Sequence, residues 1–237
     1  MLDLTIRLEE AGDEGRSFYV PPGLPSADID NWLEKTPGMP PLPADLPGPV
    51  KRSATGAIIF WGPSLKYLVL PPFPVAEKYI AGGYEVAPLR ALLQRDFTVA
   101  VVLVRLGAYA VGVCQGEKLV SSKVGTGLVH GRHRQGGSSQ HRFERHREKQ
   151  IEYFLTRVCT HAREHIEPHA RSLDYIAYGG AWTTILSLTK QCRFLKQFDD
   201  RTLPPLLDIP DPRQPVLESA ITRVWSSTVI EWRESEA

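Results

Sequence analysis

Three consecutive segments with the pattern of β-strands, in the middle of the chain, constrain its fold more than any other feature. They span 98–104, 109–114 and 118–124, with short glycine-containing turns at 106–107 and 115–116 between them. Turns of this length connect neighbouring antiparallel strands. The first segment is an unbroken apolar run, which is typical of a central strand covered on both faces. We therefore predict a three-stranded meander whose first strand lies inside a larger sheet.

A long amphipathic helix is predicted directly after the meander, from Ser139 to about Glu167. Its apolar residues recur at steps of three, four, seven or eight, as one face of a helix requires. These residues are Phe143, Ile151, Phe154, Leu155, Val158, Ala162 and Ile166. Charged residues lie elsewhere on the helix, and Pro168 lies near its expected end. The pattern predicts that all seven apolar residues share one buried face.

The rest of the C-terminal half predicts alternating strands and helices. We expect a strand at 173–178, a helix at 181–191, a proline-interrupted edge strand at 203–209 and a final amphipathic helix at 215–232. Together with the meander and the long helix, the order is β-β-β-α-β-α-β-α. This is the order of an RNase H-like fold, so the predicted fold class is α/β with a mixed sheet.

The N-terminal part of the chain is rich in proline. Nine of the twenty prolines lie in 21–49, which predicts an extended or turn-rich arm. A short strand is expected before it at 2–8, because apolar residues alternate there. Inside the arm, 26–33 has an N-capping serine and apolar residues at helical spacing, which predicts a short helix.

Regular structure is predicted again after the arm. Two short strands are expected at 56–61 and 65–70, joined by a Gly-Pro-Ser turn, and a short helix at 87–95. These observations divide the chain into a proline-rich N-terminal extension at 1–50 and an α/β domain at 51–237.

Composition and charge argue against several classes of protein. The net charge is +1, and no segment approaches the roughly 20 apolar residues of a membrane span. The acidic N-terminus, MLDLTIRLEE, does not resemble a signal peptide. Cys114, Cys159 and Cys192 are odd in number, far apart and form no CxxC pair, so we expect neither a disulfide framework nor a zinc site. We expect a cytoplasmic protein in a reducing compartment, without membrane contact, and leave its oligomeric state open.

The segment 126–147 carries the strongest functional signal. Gly136, Gly137 and the neutral amide of Gln140 stand between blocks of arginine and histidine, where the long helix begins. The flanking arginines are Arg132, Arg134, Arg142, Arg145 and Arg147. Glycine lets the backbone approach a partner closely, and arginine suits phosphate. The pattern indicates an element inserted into a nucleic-acid cavity; a Gly-Ser hairpin followed by a solvated helix face is the simpler alternative.

This loop resembles that of the central domain of eukaryotic and archaeal class I peptide-release factors, where Gly-Gly-Gln precedes an Arg-Phe pair. Here Gly136 to Phe143 reads GGSSQHRF, which keeps the spacing from Gly-Gly to Arg-Phe but displaces the glutamine by two positions. That departure, with the Arg-His-Arg-Gln lead-in, is more similar to the variant release-factor (VLRF) domain of ribosome-quality-control peptidyl-tRNA hydrolases. The proline-rich arm with Trp32-Leu33 also resembles bacterial members of that family. The resemblance covers roughly 20–235.

The resemblance implies a peptidyl-tRNA hydrolase that frees nascent chains on stalled or split large ribosomal subunits. Gln140 would place a water against the ester, and Gly136 and Gly137 would allow close approach in the peptidyl-transferase centre. Gln135, which precedes the glycines, is the alternative catalytic amide. The residues expected to contact ribosomal RNA are Arg132, His133, Arg134, Gln135, Arg142 and Arg145. The implied partners are the large subunit and peptidyl-tRNA, with no metal or other cofactor.

Two other functions are weighed against this one. An RNase H-like nuclease needs carboxylates that hold divalent cations, but 98–104 contains none and Asp174 is the one acid in a candidate core strand. A catalytically silent ribosome- or RNA-binding module stays open as the alternative. His161, His165 and His169 recur every four residues, a spacing that could hold a metal. Because no HExxH pattern accompanies them, we expect a solvated or RNA-facing helix surface instead.

Overall fold

A computed structural model describes residues 2–11, 15–25, 27–29, 31, 46–63, 65–129 and 139–232. The chain divides into two compact units. The first unit comprises 1–95 and 225–237, and the second unit comprises 96–224. Each unit is built around its own five-stranded sheet. None of the helices in the described ranges is both long and apolar enough to cross a bilayer.

The bounds of the elements are as follows. The strands are β1 Arg16–Val20, β2 Ala57–Trp61, β3 Lys66–Leu70, β4 Tyr79–Gly82, β5 Thr98–Arg105, β6 Ala108–Gln115, β7 Lys118–Thr126, β8 Tyr175–Gly180, β9 Thr202–Leu207 and β10 Thr228–Glu231. The helices are α1 Leu2–Glu10, α2 Pro47–Arg52, α3 Ala87–Gln94, α4 Ser139–Ile166, α5 Trp182–Gln191, α6 Arg193–Lys196 and α7 Gln214–Val224.

The first unit contains an antiparallel sheet in the order β10-β3-β2-β1-β4. The central strand β2 reads AIIFW, and all of its residues are buried. Successive side chains of a strand face opposite sides. Ile58 accordingly packs with Leu8 of α1 and Leu89 of α3, whereas Ile59 packs with Val50 of α2. Helices therefore cover both faces of this sheet.

The strand predicted at 2–8 is wrong, because the segment is the helix α1. Leu4 and Leu8 are buried one helical turn apart, while Ile6 is 44% exposed. Apolar residues at every second position also contain a pair separated by four, so the short sequence fits both periods. The segment forms a helix because this places Leu4 and Leu8 together in the core of the unit.

The end of the predicted final helix is also wrong. The helix α7 stops at Val224, and 228–231 pair with β3 as the edge strand β10, with Val229 opposite Val69. The sequence TVIE is rich in β-branched residues, which fit a pleated surface. A helical pattern could not reveal the partner strand, which lies far away in the chain.

The two units do not follow the predicted division at residue 50. β1 lies inside the first sheet, where Phe18 is opposite Ile59 of β2 and Ile80 of β4. The described part of 1–50 thus contributes an inner strand, because strand pairing joins segments that local patterns treat separately. For the helix predicted at 26–33, the described residues 27–29 and 31 are helical, and the others lie outside the described residues.

The second unit contains a mixed sheet in the order β7-β6-β5-β8-β9. β5, β6 and β7 form the antiparallel meander, β8 is parallel to β5, and β9 is parallel to β8. On one face, Val102 and Val111 share a core with Phe154 of α4 and Leu188 of α5. On the other face, α7 brings Leu217 against Gly112, at which a Cβ would lie 3.1 Å from a Leu217 methyl carbon.

The order of elements predicted for this part of the chain is found over 98–224, with one addition, the short helix α6 between α5 and β9. The meander matches the prediction, and α4 ends at Ile166, one residue before the predicted end. The proline-interrupted segment 202–207 is an edge strand of the sheet, as expected for a segment that lacks backbone donors. Long periodic segments with clear turns are the features that local sequence determines best.

The expectation of no disulfide framework is wrong in one respect, because the structure contains one disulfide bond. Cys159 of α4 and Cys192, directly after α5, are bonded, with Cα atoms 5.5 Å apart. The two positions are 33 residues apart in sequence, and the packing of α5 beside α4 brings them together. Cys114 is a buried free thiol, and burial raises its pKa to about 12. The cysteine spacing therefore gives no argument for a reducing compartment.

Candidate functional site

The candidate site is the loop between the end of β7 and the start of α4. Residues 130–138 and the side chains of 139–141 lie outside the described residues. The predicted site residues affected are Arg132, His133, Arg134, Gln135, Gly136 and Gly137, together with the side chain of Gln140. The backbone of Gln140 belongs to the first turn of α4. The described residues therefore define the two ends of the loop.

Two hydrogen bonds hold the strand end that leads into the loop. The amide of Gly127 donates to the carbonyl of Gly107, in the turn between β5 and β6, at 2.9 Å. Arg157 of α4 donates from Nη1 to the carbonyl of Thr126, the last residue of β7, at 3.0 Å. Because one bond comes from the meander and the other from the helix, the chain leaves the sheet at a point fixed by both.

Two glycines let β7 and the loop entrance pass close to aromatic rings. A Cβ on Gly125 would lie 2.3 Å from the Tyr109 hydroxyl oxygen, and one on Gly127 would lie 2.6 Å from a Phe154 ring carbon. Either substitution would force a ring in a close-packed core to move. Burial raises the pKa of Tyr109, and the nearby Arg157 opposes that shift. The phenol is therefore neutral at neutral pH.

The other end of the loop is the exposed start of α4. Arg142 and Arg145 are exposed, and Phe154 is the first buried side chain along the described part of the helix. Phe143 is 61% exposed, so the prediction that it shares the buried face is wrong. The reason is length: the 28-residue helix is about 42 Å long, whereas the eight-residue β5 spans about 26 Å. The helix is therefore longer than the sheet that it covers, and its start extends past the sheet.

His161 and His165 pack against the meander. The ring of His161 stacks on Tyr109, with centroids 5.7 Å apart, and its Nδ1 lies 2.8 Å from Glu164 Oε2. Nδ1 of His165 lies 2.7 Å from the hydroxyl oxygen of Ser121 on β7, and burial lowers the pKa of His165. The expectation of a solvated or RNA-facing surface does not hold for these two residues. In the described ranges, no three His, Cys, Asp or Glu side chains are grouped as metal ligands.

Asp174, the acid considered for a nuclease site, has a structural partner. Its Oδ2 accepts a hydrogen bond from the Thr98 amide at 2.9 Å, and its own amide donates to the Thr98 carbonyl at 2.9 Å. These bonds join the segment before β8 to the first residue of β5. The central strand itself reads TVAVVLVR and carries no carboxylate.

The described residues form a packed base at the two ends of the glycine-containing basic segment. Arg157 and Tyr109 belong to this base, although the sequence did not single them out. Arg157 contacts a backbone carbonyl 31 positions earlier. The periodicity of the helix, which identifies its core-facing residues, does not reveal that contact. An alternation of glycine with β-branched residues at the end of β7 was the available signal for close packing at Gly125.

A family model described as the Actinobacteria/chloroflexi VLRF1 release factor matches residues 97–230, more than half of the chain. The match begins one residue before β5 and ends within β10. It therefore includes the meander, the loop, α4 and the remaining elements of the second unit.

Two archaeal proteins named peptide chain release factor subunit 1 are similar in sequence. The Archaeoglobus fulgidus protein is 30% identical over 109 residues, which are 46% of this chain and 27% of that protein. The Aeropyrum pernix protein is 23% identical over 179 residues, 65% of this chain and 48% of that protein. The chain thus spans about half or less of these curated relatives.

An archaeal translation termination factor of known crystal structure aligns with 94% of this chain and 69% of its own length. The identity is 17% and the TM-score is 0.44. A similarity of this size indicates neither an activity nor a ligand.

Proposed function

Because the chain belongs to the VLRF1 release-factor family of Actinobacteria and Chloroflexi, we propose that it hydrolyses the ester bond of peptidyl-tRNA on the large ribosomal subunit. The reaction frees nascent chains from stalled or split subunits in the cytoplasm. The observation that carries the proposal is the family match over 97–230, which includes both ends of the candidate loop. The strand order and directions of the second unit support an RNase H-like assignment for 98–224.

The proposed chemistry depends on positioning. A peptidyl-tRNA ester is already activated, so a site must orient water and stabilise the developing oxyanion rather than supply a strong base. Gln140 orients the water through its neutral amide, and Gly136 and Gly137 let the backbone approach the ester. None of these groups requires a metal or another cofactor.

The proposed binding surface is basic. Arg132, Arg134, Arg142 and Arg145 contact phosphates of ribosomal RNA, for which the planar guanidinium is well suited. Support comes from the exposed positions of Arg142 and Arg145 on the part of α4 that extends past the sheet. His133 and Gln135 complete the proposed RNA-contacting set within the loop.

The test is a single-turnover release assay with isolated large subunits that carry labelled peptidyl-tRNA, at saturating protein. We expect the wild type to release peptide and Gln140→Ala to be slower by about 100-fold, the loss of one preorganised polar group. That factor corresponds to about 2.7 kcal/mol of transition-state stabilisation. The matched control, Gln135→Ala, removes an amide from the same loop and should have a smaller effect. Subunit binding should be unchanged in Gln140→Ala. Gln135→Ala removes one proposed RNA contact and should weaken binding, so its release rate is read at saturating protein.

The outcomes separate the assignments. If Gln135→Ala abolishes release and Gln140→Ala does not, Gln135 is the catalytic amide and the reaction stands. If the wild type binds subunits and releases nothing, the hydrolase proposal is overturned.

A catalytically silent binding module is the second candidate. Ser138 and Ser139 separate Gly137 from Gln140, so the loop departs from the contiguous Gly-Gly-Gln of class I release factors. That departure favours a domain that keeps ribosome binding without hydrolysis, and the wild-type rate in the same assay distinguishes the two.

A further inference from the structure

An exposed aromatic ring lies on the outward side of α4. Tyr153 is 75% exposed, and Arg142, His146 and Lys149 precede it at steps of four, three and four. Residues at this spacing follow one line along a helix, because eleven residues make only slightly more than three full turns. All four side chains are exposed. We call this line the outer stripe.

The outer stripe is opposite the buried face of the helix. Phe154, Val158 and Ala162 point into the core of the second unit. Tyr153 thus occupies a section of α4 that is packed from behind, so its backbone is held in place before any partner arrives. A ring on a rigid element loses little conformational freedom when it binds.

Acidic residues of the same helix section follow a different line. Glu144, Glu148 and Glu152 are spaced by four, and the carbonyl of Glu152 accepts a hydrogen bond from Gln191 of α5 at 3.0 Å. Successive helix residues are about 100° apart, so this line is rotated by roughly a third of a turn from the outer stripe. The next acid on the line of the stripe is Glu164, three turns beyond Tyr153, where it contacts His161. Between Arg142 and Tyr153 the stripe combines cations with an aromatic ring.

We propose that the outer stripe binds ribosomal RNA, with an unpaired base stacked on Tyr153, an adjacent phosphate at Lys149 and a phosphate further along the same strand at Arg142. The choice of RNA rests on the proposed function. Aromatic rings interleaved with cations are the features of sites for unpaired nucleic acid, because every base has a π-face and every linkage a phosphate. An acidic protein surface would be attracted by the cations but would not require the ring.

The test compares equilibrium binding of Tyr153→Ala, Tyr153→Phe and the wild type to two probes, isolated large subunits and deproteinised large-subunit RNA. We expect Tyr153→Ala to weaken binding to both by about tenfold, within the range for one stacked base. Tyr153→Phe should bind like the wild type, because the ring is kept. Thermal unfolding should be unchanged, since the side chain is exposed.

The matched control is Tyr79→Ala, which removes a 45% exposed tyrosine from the first unit and should leave binding unchanged. Equal binding by Tyr153→Ala and the wild type overturns the proposal, and so does an equal loss in Tyr79→Ala. A loss on whole subunits but not on the deproteinised RNA assigns the stripe to a protein partner, which also overturns it.

Release kinetics keep this inference separate from the proposed function. Tyr153→Ala should slow release at low subunit concentration in proportion to its loss of affinity, and the difference from the wild type should disappear at saturating subunits, because Tyr153 is not among the groups proposed to act on the ester. A wild type that binds through Tyr153 but releases nothing refutes the hydrolase and leaves the stripe intact. If the wild type releases peptide and Tyr153→Ala binds normally, the hydrolase proposal stands and the stripe proposal is overturned.

Discussion

At the scale of single residues, Arg157 connects the two elements that carry the loop. Its guanidinium donates to the last carbonyl of β7, Thr126, and it also lies close enough to Tyr109 to influence the pKa of that hydroxyl. The contact is exposed, so we expect it to contribute less than about 1 kcal/mol to stability. Its importance would be in placing the loop entrance relative to α4.

We predict that Arg157→Ala lowers the release rate at saturating subunits by several-fold while subunit affinity changes little. The reason is that geometry at the reacting ester depends on the base of the loop. Arg157→Lys should recover part of the rate, because one donor can still reach the carbonyl. Single-turnover kinetics and a binding titration on the same preparations measure the two effects.

Arg163→Ala is the control on the same helix, where the guanidinium lies over the Phe194 ring, 5.3 Å from its centroid. It should leave the release rate unchanged. A similar slowing in both variants would mean that general weakening of α4, and not the contact at Thr126, controls release.

The sequence predicts the candidate site from residue type and spacing alone, and the roles of its residues stay a prediction. Gly136, Gly137 and Gln140 are recognisable because a motif is local in the chain. The contact of Arg157 with Thr126 and the stacking of His161 on Tyr109 are not local, since each joins a helix to a strand. The same reason explains why the sequence did not indicate the disulfide between Cys159 and Cys192.

At the scale of elements, α4 has two sections with different roles. The section from Phe154 to Ile166 covers the sheet, and the section before it carries exposed cations past the sheet. The periodicity predicted the helix and most of its buried face. It failed at Phe143 because a periodic pattern does not state where the covered surface ends.

The exposed section leads to a prediction about salt. Replacing Arg132, Arg134, Arg142 and Arg145 together with alanine should weaken binding to large subunits and flatten its salt dependence. Each lost phosphate contact should remove about 0.7–0.9 from the slope of log K against log salt concentration. Binding titrations at several salt concentrations give that slope directly.

Arg171 and Arg193 are exposed arginines outside the loop, and their joint replacement is the control for charge alone. We expect it to change the slope much less. An unchanged slope in the fourfold variant would show that the cluster is a solvated surface.

At the scale of the whole molecule, the second unit carries the sheet on which a nuclease site would have to form. Its central strand has no carboxylate, and Asp174 bonds to the backbone of Thr98. We predict that the protein does not cleave RNA, DNA or their hybrids with Mg²⁺ or Mn²⁺, because two-metal cleavage needs carboxylates that hold the ions. Incubation of each labelled substrate with repurified protein and either ion checks this.

A boiled preparation and an EDTA-treated one are the controls in that assay. Cleavage that depends on the ion and follows the protein through repurification would contradict the release-factor assignment.

Local sequence patterns were sufficient to predict the main order of elements in the second unit, the long helix and the loop motif. Each depends on a period or a spacing within a short stretch, which neighbouring residues specify. Tertiary structure decided the helix at 2–10, the strand at 228–231 and the disulfide between α4 and α5. Those features arise because segments distant in the chain bury apolar surface together or pair their backbone groups. Where a local pattern is compatible with two structures, the chain adopts the one that contacts with a distant segment stabilise.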